Sequence, residues 1–422
     1  MKDIILLTID CWRHDSIRRM DNLLSISRNW MRTESISQSA ATNGSFPAIL
    51  GSQYYPLLYD SENKYFASSG SGPIKSNRIT LPEILSEKEY STGAFIASNP
   101  QLIKWSNFFD YFWNDGLSSS ESDYIYFDHY IFRKAQKWIN YMLLQPRVSA
   151  TEVAARAKEW YKNKNKPRFL FMHVMEPHGP FPGLKKGLDL GLWRAYKSLR
   201  KYLKKRKDSP DEVLKTIREL YWKSIEKIDE QIKDLLKFVE NDATIIITAD
   251  HGEEFYHGIY GHARLYDECV RVPFFLRWTL DNSLKSSRER LRHIDIAPTL
   301  LRALGIDAPE YWEGLPLQDI DTFQPTFLIN HAPQLERVYV GIRTRQYKYI
   351  KTYTDKTGKL IKTEFYDIQN DEKEKINLFP EGPDKKSKYE TSLNQFLNRI
   401  KSTDERKQIE KKIKKLKDKN VI

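Results

Sequence analysis

An aspartate and a histidine stand side by side at Asp250 and His251, directly after a short apolar run. The run, Thr244–Thr248 (TIIIT), is β-branched, which is typical of a strand buried on both faces of a parallel sheet. Ligands in α/β proteins bind beyond the carboxyl ends of such strands. A carboxylate oxygen beside an imidazole nitrogen suits a divalent cation. A helix-capping Asp followed by a surface His would give the same two residues. Other parts of the chain are therefore needed to distinguish a cation site from a helix cap.

A second carboxylate follows a second buried strand. Ile4–Ile9 (IILLTI) is a continuous apolar run, and Asp10 comes directly after it. Because parallel strands of one sheet end at the same edge, we expect Asp10 and Asp250 to lie close enough to share one cation. A third run of this kind, Arg168–Val174 (RFLFMHV), is followed by His178. Polar residues therefore follow three predicted buried strands, at one predicted edge of the sheet.

A hydroxyl group is predicted at the start of a short helix. The segment 37–56 reads SQSAATNGSFPAILGSQYYP, with Thr42 or Ser45 near the helix start and Gly51 just past its end. Free backbone N–H groups and the positive end of the helix dipole meet there. Such a position suits a bound anion and a nucleophile that must become an alkoxide. Taken alone, these residues are more often explained by an ordinary N-cap hydroxyl.

The elements that must position these residues alternate between strands and helices, which predicts an α/β fold with a mostly parallel sheet flanked by helices. Further strands are predicted at 91–97 and 272–278, and helices at 80–85, 150–160, 210–239 and 293–304. The apolar stripe of the 210–239 helix is interpreted as core. The aromatic segment 110–141 is expected to be helical and to cover the site or the sheet.

The chain changes character after about residue 325. Residues 327–368 alternate apolar and polar side chains, as antiparallel strands with one wet face do. A smaller α+β subdomain is therefore predicted, closed by a helix at about 385–400. The expected domains are 1–325 (catalytic α/β), 326–400 (smaller subdomain) and 401–422 (charged helical tail).

Composition sets broad limits on partners and location. The 422 residues are 40% hydrophobic and carry a net charge of +12, partly in the basic segment 185–207 and in the tail. Contact with anionic surfaces through these basic segments is compatible with that charge. Two cysteines, Cys11 and Cys269, make neither a disulfide framework nor a zinc-knuckle spacing. No segment reaches the ~18 apolar residues of a membrane span, and Ile4–Ile9 is too short for a signal sequence. We therefore expect a cytoplasmic protein.

These pieces, in this order, resemble the sulfatase family of the alkaline-phosphatase-like superfamily. The DHGE sequence at 250–253, the following GH, LYDECVRVPF at 265–274 and DIAPTLL at 295–301 carry the resemblance. It extends from the first strand to the YDIQNDEKEKINL segment at 366–378. The resemblance implies an alkaline-phosphatase-like fold with a smaller C-terminal antiparallel-sheet subdomain.

The family resemblance implies a divalent metal ion (Ca²⁺, Mg²⁺, Mn²⁺ or Zn²⁺) bound by Asp10, Thr42, Asp250 and His251. Many sulfatases have a second Asp where this chain has Cys11, and Asn where it has His251. A thiol is a poor ligand for a hard cation. We therefore expect Cys11 either to lie outside the metal's ligand shell or to favour a softer metal.

The same resemblance assigns the nucleophile to Thr42. Sulfatases carry Cys or Ser in a C/S-x-P-x-R motif and convert it to formylglycine, whereas this chain has Thr42, Gly44 and Phe46 at the corresponding positions. Threonine cannot form formylglycine. A plain threonine is similar to the nucleophile of the phosphodiesterases and phosphoglycerol-type transferases of the superfamily.

The resemblance also implies roles for three further residues. His178 matches a substrate-binding histidine, and His262 falls near a position where sulfatases often have Lys. Both are expected to contact the equatorial ester oxygens or to protonate the leaving oxygen. The Gly-Lys-x-His element is missing, and Asn99 is the candidate substrate donor in its place. One metal is expected, with His178 and His262 as candidate ligands of a second.

The resulting hypothesis is a metal-dependent hydrolase that cleaves sulfate or phosphate (di)esters through a covalent Thr42 intermediate. The expected substrate is an anionic ester of a small molecule, a glycan or a lipid headgroup. One alternative is a transferase of phosphoglycerol- or phosphoethanolamine-type headgroups. Another is a non-catalytic binding protein whose basic surface meets nucleic acid, and strongly salt-dependent binding would distinguish it. The sequence does not indicate an oligomeric state.

Overall fold

The computed structural model describes residues 1–55, 57–60, 65–68, 78–114, 148–179, 181, 211–281, 284, 290–319, 324–380 and 386–399. Three predicted features fall outside these residues: the aromatic cover from 115 to 141, the basic segment 185–207 and the charged tail 401–422.

Strands and helices are numbered along the chain. The strands are β1 (Ile4–Ile9), β2 (Met31–Ile36), β3 (Leu57–Asp60), β4 (Tyr65–Ser68), β5 (Ser91–Ile96), β6 (Tyr111–Asn114), β7 (Arg168–Val174), β8 (Thr244–Ala249), β9 (Arg271–Arg277), β10 (Arg290–Arg292), β11 (Thr326–Ala332), β12 (Arg337–Arg343), β13 (Tyr347–Thr354) and β14 (Leu360–Asp367). The α-helices are α1 (Asp21–Ile26), α2 (Thr42–Gly51), α3 (Leu81–Glu87), α4 (Ala150–Asn163), α5 (Asp211–Leu236), α6 (Asp267–Val270), α7 (Ile296–Ala303) and α8 (386–399). Short 3₁₀ segments lie at His14–Arg19, Pro100–Phe108, His293–Asp295, Leu317–Asp319 and Pro333–Leu335.

The larger sheet has eight strands in the order β10-β2-β9-β8-β1-β7-β5-β6. Strands β8, β1, β7, β5 and β6 are mutually parallel, and β9 runs antiparallel to both β8 and β2. The expected mostly parallel sheet is confirmed. Because β1 and β8 pair from Ile4↔Thr244 to Ile9↔Ala249, the residues that follow them emerge side by side at one edge.

Helices cover both faces of this sheet, and β1 shows how the two layers form. Its side chains alternate between the faces, as strand geometry requires. Ile5, Leu7 and Ile9 pack in the core that includes α4 and α5, whereas Ile4 and Leu6 pack in the core that includes α2, α3 and α7. The strand is therefore apolar throughout because both faces are covered. Among the described residues, no helix is both long and apolar enough to cross a bilayer.

The expected helix over 110–141 is wrong at its start, because Tyr111–Asn114 form the edge strand β6. This strand pairs in parallel with β5 from Gly93↔Tyr111 to Ile96↔Asn114. Phe95 of β5 contacts the rings of Tyr111 and Trp113. The aromatic residues are thus used as cross-strand partners, which local pattern could not reveal.

The C-terminal part forms the second sheet, antiparallel and in the order β11-β12-β13-β14. One of its faces packs against α2 and α8 through residues such as Ala48, Val340 and Phe396. Its other face contacts the segment around α6, including Leu265 and Tyr266. This separate antiparallel sheet was predicted. The domain boundary near residue 325 stays a prediction.

Buried charges join the second sheet to α6. Asp267 in α6 accepts two hydrogen bonds from Arg343 of β12, at 2.9 and 2.6 Å. Lys348 of β13 is fully buried and forms ion pairs with Asp267 and, at 2.7 Å, with Glu374. A buried ion pair stabilises only while both partners remain, since a single buried charge is costly.

Replacing Lys348 with Met should destabilise the protein by about 3–5 kcal/mol, because the cation that serves two buried carboxylates is lost. The matched control is Lys351→Met on the same strand. Lys351 pairs with Glu390, whose side chain is 47% exposed, so its loss should cost about 0–1 kcal/mol. Urea unfolding of both variants measures the difference. Equal losses would contradict the role given to the buried cluster.

Candidate active site

The carboxyl ends of β1 and β8 bring Asp10 and Asp250 together. The strands pair in parallel up to Ile9↔Ala249, and each aspartate is the next residue. Both side chains are fully buried. The two carboxylates, predicted from two stretches 240 residues apart in the chain, are thus neighbours at one sheet edge, where α/β proteins bind ligands.

Helix α2 delivers Thr42 to the same edge. The helix begins at Thr42, and its N-cap residue Ala41 supplies no side-chain cap. Thr42 Oγ1 lies 3.4 Å from His251 Nε2. The Ser45 hydroxyl instead contacts Ala41 O and Ser37 Oγ, both at 3.0 Å. Of the two hydroxyls considered from the sequence, Thr42 is the one that faces the aspartates.

A close approach explains Gly44, one of the departures from the family motif. A Cβ atom at Gly44 would lie 2.1 Å from Ser39 Oγ. No side chain fits without displacing the loop that precedes α2. Glycine at this position therefore lets the first turn of α2 pack against that loop.

Each aspartate uses one oxygen and leaves the other without a partner. Asp10 Oδ2 accepts a hydrogen bond from Asn99 Nδ2 at 3.2 Å, and Asp250 Oδ1 accepts from the His251 backbone N–H at 2.9 Å. Asp10 Oδ1 and Asp250 Oδ2 are buried and have no hydrogen-bond partner among the described residues. They lie 3.7 and 3.5 Å from His251 Nε2.

A backbone contact orients His251 toward these two oxygens. Its Nδ1–H donates to Gly252 O at 2.9 Å, which leaves the lone pair of Nε2 facing the carboxylates. Nε2, Oδ1 of Asp10, Oδ2 of Asp250 and Oγ1 of Thr42 thus converge. Unpartnered buried oxygens beside an imidazole nitrogen fit a divalent cation, and this donor set suits Mg²⁺, Mn²⁺, Ca²⁺ or Zn²⁺.

Electrostatics drives the two carboxyl pKa values apart. Burial raises the pKa of Asp250, and the negative charge of Asp10 raises it further. Burial also acts on Asp10, but His178 and the hydrogen bond from His173 hold the pKa of Asp10 well below its ordinary value. Two adjacent carboxylates cannot both be charged cheaply in a buried place. A cation between them would remove that conflict.

Asn99 lies where the sequence predicted, but its amide is used within the protein. Nδ2 lies 3.2 Å from Asp10 Oδ2 and 3.0 Å from His173 Nε2, and Oδ1 accepts from the Gln101 backbone. His173 is in turn held by Thr8 Oγ1 at 2.8 Å. This chain of contacts positions Asp10. Ligand atoms of His173, Asp10 and Asp250 also lie within 4.8 Å of one another.

His178 and His262 face each other across the site, with ring centroids 5.3 Å apart. The ring centroids of His262 and His251 lie 4.6 Å apart, and Nδ1 of His262 donates to Glu253 Oε1 at 3.1 Å. Burial lowers the pKa of His262, but the charge and hydrogen bond of Glu253 outweigh this and raise it to about 9. Glu253 was missed in the sequence, although it directly follows Gly252 in the DHGE motif.

Cys11 is fully buried beside these imidazoles. Its Sγ lies 3.7 Å from His262 Nδ1 and 3.9 Å from His251 Nδ1. Burial and the nearby Glu253, Asp10 and Asp250 carboxylates raise the pKa of the thiol well above its ordinary value. Cys11 is therefore next to the aspartate pair, and its thiol points toward His262.

Tyr221 is a second residue whose contribution the sequence did not reveal. It belongs to the apolar stripe of α5 and was interpreted as core. Its hydroxyl donates to Cys11 O and accepts from Arg13 N–H, both at 2.9 Å. Cys11 has a left-handed backbone with φ of 60°, which is unfavourable for a side-chain-bearing residue. Tyr221 stabilises this turn and so fixes the direction of Cys11.

A cavity of about 460 Å³ opens onto the site. Thr42, Asn99, His178 and His262 line its inner part. The second sheet contributes to the wall through Asn330 and His331 of β11. His331 had no predicted role. The wall contribution of β11 depends on the packing of one sheet against the other, so no local pattern could have indicated it.

Comparison with known proteins identifies the family. The sulfatase family profile matches residues 12–306, more than half of the chain. A second profile, N-sulphoglucosamine sulphohydrolase, C-terminal, matches residues 254–405.

Three relatives illustrate the range of similarity. An N-acetylglucosamine-6-O-sulfatase of Bacteroides thetaiotaomicron is 28% identical over 180 residues, which cover 38% of this chain and 31% of the relative. An ulvan-active sulfatase of Formosa agariphila is 25% identical over 268 residues, 54% of this chain and 51% of that one. These matches span only a third to a half of the relatives. The solved phosphonate monoester hydrolase of Agrobacterium radiobacter covers 96% of both chains with a TM-score of 0.65 and 15% identity, which shows a shared fold.

Asp250→Asn should raise the melting temperature of chelator-treated protein by a few degrees at pH 7. The pKa of Asp250 is raised, so its charged form costs stability once the pH exceeds that pKa, and the amide removes the charge. Added Mg²⁺ or Mn²⁺ should then stabilise the wild type more than the variant. Differential scanning calorimetry measures both effects.

Asp295→Asn is the control for this prediction. Asp295 is equally buried, but both of its oxygens bind Arg292, at 2.7 and 2.6 Å. The Asp295→Asn variant should be less stable than the wild type, with or without the cation. An Asp250→Asn variant that melts below the wild type in chelator would contradict the charge conflict.

Proposed function

The chain belongs to the sulfatase family, and on that premise we propose that it hydrolyses sulfate or phosphate esters with Thr42 as the nucleophile. The observation that carries this proposal is the position of Thr42 Oγ1, at the start of α2 and 3.4 Å from His251 Nε2. The hydroxyl thus lies at the positive end of a helix and beside the unpartnered oxygens of Asp10 and Asp250.

The donor atoms of Asp10, Asp250, His251 and Thr42 would hold the divalent ion that the family implies. When bound, such an ion lowers the pKa of a hydroxyl and offsets negative charge on the ester. The protein's own contribution is to keep these side chains buried and oriented. His251 is fixed by Gly252 O, and Asp10 is fixed by Asn99.

The first chemical step forms a bond from Thr42 Oγ1 to the sulfur or phosphorus atom and breaks the bond to the leaving oxygen. The hydroxyl proton of Thr42 passes to solvent in the cavity, and the leaving oxygen takes up a proton from His178 or His262. The positive end of the α2 dipole lies at Thr42 and would stabilise negative charge on the ester oxygens. Water then cleaves the Thr42 ester and restores the hydroxyl.

His178 and His262 are proposed to contact the ester. Both side chains line the cavity, and the centroids of their rings lie 5.3 Å apart. Imidazole N–H groups can donate hydrogen bonds to the equatorial oxygens or a proton to the leaving oxygen. Two relatives are named as sulfatases of N-acetylglucosamine and ulvan. Sulfated glycans are therefore the first substrate class to test.

A panel of nitrophenyl esters tests the reaction class: sulfate, phosphate monoester, phosphate diester and phosphonate, each with Mg²⁺, Mn²⁺, Ca²⁺ or Zn²⁺. Thr42→Ala should lower kcat on the active ester on the order of 10⁴-fold, because it removes the nucleophile. Thr42→Ser should keep measurable turnover, since it retains a hydroxyl. Release of nitrophenol measures the rates.

Ser45→Ala is the matched control on the same helix, because the Ser45 hydroxyl contacts Ala41 O and Ser37 Oγ rather than the aspartates. It should lose far less activity than Thr42→Ala. Trapping a phosphorylated or sulfated Thr42 peptide by mass spectrometry would support the covalent step. Metal-dependent turnover that Thr42→Ala leaves unchanged would sink the proposed mechanism.

A further inference from the structure

Three side chains with metal-ligating atoms cluster on the cavity side of the aspartate pair. One ligand atom each of Cys11, His178 and His262 lies within 4.8 Å of the others. Zinc binds thiolate sulfur at about 2.3 Å and imidazole nitrogen at about 2.0–2.1 Å. One ion can therefore reach all three after side-chain shifts on the order of 1 Å.

Hydrogen bonds to neighbouring groups fix the orientation of the two imidazoles of this cluster. His178 Nδ1 donates to Gly179 O at 2.6 Å, and His262 Nδ1 donates to Glu253 Oε1 at 3.1 Å. Metal-bound histidines commonly donate their other N–H to a carbonyl or a carboxylate in this way. Glu253 is 1% exposed, and its Oε2 has no hydrogen-bond partner among the described residues.

The Cys11 backbone adds an independent sign of function. A non-glycine residue at φ of 60° is uncommon, and Tyr221 holds it there through Cys11 O. The turn aims Sγ at His262. Strained backbone of this kind persists where the surrounding structure imposes it, and it concentrates at functional sites.

We propose that Cys11, His178 and His262 form a binding site for a thiophilic divalent cation such as Zn²⁺, separate from the site at the aspartates. Thiolate and imidazole ligands select softer ions, whereas the oxygen-rich aspartate site accepts Mg²⁺. Binding replaces the S–H bond of Cys11 and the Nε2–H bond of a charged His262 by bonds to the metal, and both protons go to solvent.

His251 separates the two sites. Its Nε2 faces the aspartate oxygens, and its Nδ1 is used by Gly252 O. Ligand atoms of Asp10 and His251 also lie within 4.8 Å of the Cys11 thiol, so weaker binding in His178 and His262 variants is the result that assigns the thiol to the proposed site. Three protein ligands leave an open coordination position, and the cavity beside His178 and His262 supplies the entry path.

One consequence rests on the proposed function. The same two imidazoles are proposed there to contact the ester, so a Zn²⁺ ion in this site should change ester turnover at constant Mg²⁺. The binding test itself uses no substrate. Its failure is thus distinguishable from failure of the hydrolase proposal.

The experiment titrates Co²⁺ into the full chain after chelator treatment and saturation with Mg²⁺. The wild type should bind one equivalent with a thiolate-to-cobalt charge-transfer band in the near ultraviolet. Cys11→Ser should lose the band. Cys269→Ser, which removes the other buried free cysteine, should keep it. Thr42→Ala should also keep it, because Thr42 is a ligand only of the other site.

Variants of the imidazoles and their partner complete the test. His178→Ala and His262→Ala should each weaken Co²⁺ binding at least tenfold, and they keep the test decisive if Cys11→Ser fails to fold. Glu253→Gln should raise the Kd about 10–100-fold while the band remains, because the carboxylate that holds the His262 imidazole is lost. Absence of a thiolate band in the wild type, or a band that survives in Cys11→Ser, would overturn the proposal. Unchanged affinity in both His variants would overturn it equally.

Discussion

Two buried aspartates that meet at one edge of the larger sheet govern the architecture of this site. Asp10 and Asp250 are fully buried and adjacent because β1 and β8 pair in register to their last residues. Like charges in such a place repel strongly, and each carboxylate has one oxygen without a partner among the described residues. The start of α2, the imidazole of His251 and the amide of Asn99 all approach this pair. Their presence there follows from the charge that has to be compensated.

Elsewhere the protein pairs its buried charges within the fold. Arg168 is bound by Asp3 through contacts at 2.8 and 3.2 Å, and Arg343 is bound by Asp267. These pairs attach strands to neighbouring elements and leave little for a ligand to satisfy. The contrast marks Asp10 and Asp250 as the candidate site, because buried groups with shifted pKa values cluster at functional sites.

Part of the site was readable from the chain because its residues directly follow buried strands. Asp10, Asp250 and His178 were identified by that rule, and Thr42 by its place before a short apolar helix together with the family resemblance. The sequence could have indicated Glu253, since it directly follows the Asp-His-Gly run. An acidic residue in a loop, however, has many ordinary explanations. The role of Tyr221 could not be predicted from the sequence, because its periodic spacing in α5 indicates only a core position.

The sequence by itself determined where β1, β7 and β8 end and which residue types are available for chemistry there, since these depend on local periodicity. Only the tertiary structure decided which side chains meet. It turned Asn99 toward Asp10, made β6 a strand through pairing with β5, and aimed Cys11 at His262. These outcomes depend on contacts between residues far apart in the chain, whose direction is set by packing and by buried hydrogen bonds.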